Sequence, residues 1–126
     1  MKLALVITVK NERRLLRQNL EYHHLLGIDH AYIYLDGTDD GTEETIKDLT
    51  YVSIAPSVSP DLYRRNIELN CLTTNHAEHH TARQMLNMFH AKELSSQQGF
   101  EWLIAIDADE LICVDLHRAF PGQIKE

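Results

Sequence analysis

The stretch Trp102-Leu103-Ile104-Ala105-Ile106-Asp107-Ala108-Asp109-Glu110-Leu111 constrains this chain more than any other. Five uncharged residues run directly into three carboxylates within four positions. Such a run reads as a buried strand whose carboxyl end carries concentrated negative charge. In parallel α/β sheets, ligands bind in the crevice beyond the carboxyl ends of the strands, where Asp107, Asp109 and Glu110 would stand. Carboxylates this close repel one another unless a proton or cation intervenes, and a divalent metal is the simplest explanation. An apolar strand has no structural need for Asp107 and Asp109 at its end, so the metal reading outweighs that of a solvated turn.

The remaining segments supply the sheet this strand requires. Leu3 to Val9 is apolar on both faces, as a central strand covered by helices must be. Asn11 is placed to cap a helix from about Glu12 to Leu26, with Glu12 complementing its N-terminal dipole and Gly27 stopping it. His30 to Leu35 follows after a short turn, which makes a βαβ crossover the natural reading. Asp36 ends this second strand and opens a glycine-punctuated turn. There Asp40 and Glu43 have capping-box spacing for a short helix ending near Leu49. Tyr51 to Ala55 reads as a third strand bounded by Pro56. An irregular connection with one helical piece near Leu62 to Leu72 leads to a helix from about Ala77 to Gln98, and Leu111 to Val114 reads as a further short strand. The fold class is α/β, a mostly parallel sheet flanked by helices in a single domain over residues 1–126.

Bulk properties exclude several functions. Twelve basic against nineteen acidic residues give a net charge of −7. With no basic run, nucleic-acid binding through phosphate neutralisation is not expected. Cys71 and Cys113 show no paired spacing, as in a reducing compartment. The opening apolar run is too short to span a bilayer, so a soluble, cytoplasmic protein is expected. His76, His79 and His80 share helical spacing but form a weak zinc signature without a nearby Cys or Glu-x-x-His, so they read as surface or loop histidines. His23, His24 and His30 read as packing or hydrogen-bonded residues.

The order of the motifs resembles the nucleotide-sugar-binding half of a GT-A glycosyltransferase, of the family 2-like kind related to family 92. Val9-Lys10-Asn11-Glu12 is similar to the family's motif after the first strand, and Glu21-Tyr22-His23 with Leu26-Gly27-Ile28-Asp29-His30 to its first helix and return. Ile33 through Thr42 resembles the second strand and its acidic turn, and Trp102 through Leu111 the DxD segment.

The resemblance implies Asn11 and Glu12 beside the nucleotide and Asp36 on its base or ribose. It implies Arg83 near the donor phosphates, Asp107 on ribose or metal, and Asp109 as the principal metal-facing carboxylate. An extended Asp-x-Asp would set the two carboxylates about 7 Å apart on one side of the chain. Mn²⁺ or Mg²⁺ suits all-oxygen ligands better than zinc. The expected function is sugar transfer from a nucleoside diphosphate sugar, a UDP-sugar favoured, to a glycan or lipid acceptor. Two departures stand out. Gly37 replaces the Asn that the family usually carries after Asp36. Only sixteen residues follow Glu110, where such enzymes place their acceptor pocket and base, and neither Asp115 nor Glu126 sits in a recognisable base motif. A donor-binding part, incomplete after the DxD strand and prone to self-association through uncovered apolar surface, is therefore expected. The alternatives are a non-catalytic nucleotide-binding module and a phosphohydrolase with Asp107 as nucleophile.

Overall fold

The computed structural model describes residues 2–113. Four parallel strands form one sheet in the order β3-β2-β1-β4: β1 (Leu3–Val9), β2 (His30–Leu35), β3 (Val52–Pro56) and β4 (Trp102–Ala105). β1 pairs with β2 from Ala4↔His30 to Val9↔Leu35, and with β4 from Leu3↔Trp102 to Val6↔Ala105. Alternation along the strands sorts side chains onto two faces. Leu5, Ile7, Val9, Ala31 and Ile33 pack with Leu16 and Leu20 of helix α1 (Leu16–Leu26). Ala4, Val6, Tyr32 and Tyr34 pack on the other face, in the cluster that holds Leu86 and Ala91 of a long helix, His80–Gln97. Both faces of β1 are therefore covered, which is why it is apolar apart from Thr8, whose hydroxyl is buried and bonded by Asn87. Full burial of a leucine such as Leu16 or Leu20 contributes about 1.5–3 kcal/mol.

The strands and long helices fall where the sequence places them, with differences at their ends. α1 starts at Leu16, not Glu12, and its N-cap position is Leu15 rather than Asn11. Asn11 and Arg13 are engaged elsewhere. Asn11 has φ 54°, a left-handed conformation that Asn tolerates, and its Oδ1 accepts from Asp39 N–H (3.0 Å). Arg13 N–H donates to Asp40 Oδ2 (3.3 Å). These bonds tie the loop after β1 to the loop after β2 and delay the helix by a turn. At the other end Gly27, φ 120°, closes α1, with Ile28 N–H reaching back to His23 O (3.0 Å).

The helix expected after Asp40 is only a 3-10 turn, Glu43–Thr45. The capping box does not form, because Asp40 Oδ1 accepts from Thr42 N–H two residues on (3.0 Å). Arg17 Nη1 takes the Thr45 carbonyl (2.8 Å), and Ile46 drops into the core. The third strand is shifted by one residue and includes Pro56, which an edge position tolerates. The helical piece near 62–72 resolves into 3-10 turns at Pro60–Tyr63 and Ile67–Leu69 and a short helix α2 (Asn70–Thr74). The long helix, α3, begins at His80 rather than Ala77. Leu111 to Cys113 form no strand, and Val114, the last residue of that expected element, lies outside the described residues.

Candidate functional site

The chain reverses direction across the sheet between β1 and β4, since β2 and β3 lie on one side of β1 and β4 on the other. Ligands of open α/β sheets bind at such a switch point, outside the carboxyl ends of the strands. Three loops meet there: the segments after β1, β2 and β4. Asn11 and Glu12 line a depression of about 410 Å³ with Arg14, Leu15 and Gln18. Asp109 lines a second, of about 300 Å³, with Asn19, Tyr22, Ala108 and Leu111. Leu15 and Gln18 border both, so the acid of the DxD and the Asn-Glu pair share one stretch of surface.

Asp36, at the end of β2, lies in a different environment. It is 6% exposed, and both carboxylate oxygens are engaged. Arg83 Nε donates to Oδ1 (2.8 Å) and Nη2 to Oδ2 (3.2 Å); Ser57 Oγ donates to Oδ1 (2.9 Å). His80 Nδ1 lies 2.8 Å from Oδ2 and donates to it, since an ionised carboxylate only accepts. Burial raises the Asp36 pKa, but the bonds from Arg83, His80 and Ser57 outweigh it and hold the group at about 2. Arg83 Nη1 also donates to the carbonyls of His76 (2.9 Å) and Ala77 (3.3 Å). Its guanidinium joins the end of β2 to the turn before α3.

The DxD acids are more open. Asp107 and Asp109 are exposed. The chain does not remain extended through them: Glu110 N–H donates to Asp107 O (3.0 Å), closing a turn over Ala108 and Asp109. The extended spacing expected from the sequence is thus replaced by a turn. Glu110 Oε1 accepts from Asp107 N–H (2.7 Å), so this third carboxylate caps the turn. Gln84 Nε2 donates to Asp107 Oδ1 (3.2 Å). One face of α3 therefore serves two strand ends, with His80 and Arg83 on Asp36 and Gln84 on Asp107. One turn further on, Asn87, fully buried, bonds Thr8, Ser57 and the Val58 N–H.

Among the described residues, no group of three or more His, Cys, Asp or Glu is close enough to hold a metal ion by itself. Asp107 and Asp109 nevertheless offer accessible carboxylate oxygens. Their chemistry fits Mg²⁺ or Mn²⁺ of the kind held by one or two carboxylates with substrate phosphates and water completing the shell. It does not fit zinc, and His76 and His80 are committed to Val58 O (2.8 Å) and Asp36.

The sequence does not reveal two sets of contacts. His80 is half-exposed, as a surface histidine should be, but it is also a partner of Asp36. His23 is buried and hydrogen-bonded, as expected, but the contact that it and the buried Asn19 make with the segment after β4 is not foreseen. Only the polar interruption of an otherwise apolar helix face hinted at them. His24 and His30 behave as expected: His24 stacks on Tyr51 at 3.8 Å, and His30 bonds Ser53 Oγ (2.8 Å). A larger groove of about 610 Å³, lined by Leu72, Met85, Phe89, Phe100 and Trp102, is apolar and contains none of the strand-end carboxylates. The candidate site is accordingly the strand-end surface.

A parallel sheet with helices on both faces and acids at its switch point is a Rossmann-like α/β architecture of GT-A type. Residues 8–126 match Glycosyltransferase family 92, and the chain belongs to that family. The match indicates glycosyl transfer, with a sugar donor and an acceptor in the general sense. No curated protein matches the chain.

Proposed function

We propose that this chain carries the donor side of a metal-dependent glycosyltransferase that takes its sugar from a nucleoside diphosphate sugar, a UDP-sugar in the favoured case. The observation that carries this reading is the shared surface at the β1/β4 switch point, where the depression beside Asn11 and Glu12 and the one beside Asp109 have Leu15 and Gln18 in common. Asn11 and Glu12 lie beside the nucleotide. Arg83 faces the donor phosphates, oriented by the buried carboxylate of Asp36 that it clasps. Asp107 and Asp109 hold a divalent cation, Mn²⁺ or Mg²⁺, which when bound would neutralise the departing diphosphate. The sugar passes to a hydroxyl of a glycan or lipid acceptor.

The test is nucleotide release from a panel of UDP- and GDP-sugars with Mn²⁺, with and without glycan or lipid acceptors, for the chain and for Asp109→Asn. Release that depends on Mn²⁺ and is lost in Asp109→Asn supports the proposal. Failure of any nucleotide sugar to bind in equilibrium dialysis at millimolar donor overturns it.

A further inference from the structure

The donor-site reading leaves unused a buried polar network on α1. Asn19 is 3% exposed and His23 is 0% exposed, yet both direct polar atoms at the backbone around Asp109. Asn19 Nδ2 donates to the carbonyls of Ala108 (2.9 Å) and Glu110 (2.8 Å), the residues on either side of Asp109. Ile112 N–H donates to His23 Nε2 (3.1 Å), so that nitrogen is the unprotonated one. His23 Nδ1–H then faces Asn19 Oδ1 (3.0 Å) and Asn19 O (2.9 Å). The network admits one arrangement of hydrogens. Flipping the Asn19 amide would set its NH₂ against His23 Nδ1–H and leave the two loop carbonyls without that donor. Tyr22 adds a fourth tie, its hydroxyl donating to Ile112 O (2.7 Å).

Packing a helix on a sheet requires apolar side chains, which Leu16 and Leu20 supply. The polar side chains beside them bond the turn that carries the carboxylates. We infer that Asn19 and His23 are positioning residues that fix the Asp107–Asp109 turn for a metal-bound diphosphate. The inference rests on the reading of Asp109 as a metal-facing carboxylate. In metal sites generally, removing a group that orients a ligand weakens metal binding by about 10- to 100-fold. A turn held by two buried side chains presents its carboxylates already in place, while a loose turn must be ordered by the ion.

The experiment is Mn²⁺ binding in the presence of UDP, read from the free-ion electron paramagnetic resonance signal at a temperature where circular dichroism shows each variant folded. Asn19→Ala and His23→Leu are expected to weaken Mn²⁺ binding by about 10-fold or more. His23→Gln, whose amide oxygen can accept from Ile112 N–H, recovers part of the loss. Tyr63→Phe, which removes a hydrogen bond to Glu93 remote from this turn, leaves binding unchanged. If Asn19→Ala and His23→Leu bind Mn²⁺ like the unsubstituted chain while Asp109→Asn does not, the inference is overturned and the donor-site reading survives. If Asp109→Asn also binds normally, or the unsubstituted chain binds no Mn²⁺ with UDP, both are overturned. Should neither Asn19→Ala nor His23→Leu fold, Tyr22→Phe removes only the tie to the Ile112 carbonyl. A twofold to fivefold weakening there supports the inference, and unchanged binding overturns it.

Discussion

Asp36 and Asp109 each follow a strand of the same parallel sheet, and the protein surrounds them in opposite ways. Asp36 is buried, bonded on both oxygens and paired with a cation, while Asp109 stands exposed on a turn whose backbone, not its carboxylate, is held by buried side chains. A carboxylate whose valences are satisfied internally contributes to stability and to the placement of its partners. One left open is available for a ligand. Substitutions at the first should therefore register in folding, and at the second in binding.

The largest expected effect is at Arg83. Arg83→Met leaves Asp36 buried without its main partner and should cost about 3 kcal/mol in urea unfolding at neutral pH. In the double variant with Asp36→Asn, the combined loss should fall well short of the sum of the two single losses. A cost below about 1 kcal/mol for Arg83→Met would break the comparison at its buried end.

The acid dependence comes next. The folded pKa of Asp36 is depressed from 3.8 to about 2, so the unfolded chain takes up this proton first as the pH falls. The corresponding stability, about 2 kcal/mol, is fully present above roughly pH 5 and is lost as the pH falls through about 2. Urea titrations at a series of pH values should show a smaller acid loss in Asp36→Asn than in the unsubstituted chain. Equal losses would mean that Asp36 is not held ionised by its neighbours.

The smallest effect is the most informative about the open end. Without ligand, Asp109→Asn should change stability by no more than about 0.5 kcal/mol, as for an exposed residue. A larger loss would show Asp109 to be part of the fold's own support.

The same contrast explains what the sequence could reveal. β1, β2, β4 and the body of α1 and α3 were legible because each is an apolar run or stripe whose period dictates its structure and which is long enough to outweigh local competition. The strand-end acids were legible for the complementary reason, since charge directly after an apolar strand is conspicuous. What stayed hidden were the side chains that choose between solvent and a distant backbone group. Asn11 has the residue type of a helix cap, but the Asp39 N–H across the sheet claims it. Asp40 and Glu43 have capping-box spacing, but Thr42 takes the Asp40 oxygen first. Nothing local to His80, Asn19 and His23 names their partners, residues 36, 108, 110 and 112, which only the closed sheet brings near.

If Asp109 binds a nucleotide through a divalent cation, UDP and the cation together must protect the folded chain against heat. With Mn²⁺ and UDP at about one hundred times its dissociation constant, the unfolding midpoint should rise by roughly 10 °C. The rise should be much smaller without Mn²⁺ and absent in Asp109→Asn. A midpoint indifferent to UDP and Mn²⁺, or a shift that Asp109→Asn retains in full, would contradict the account.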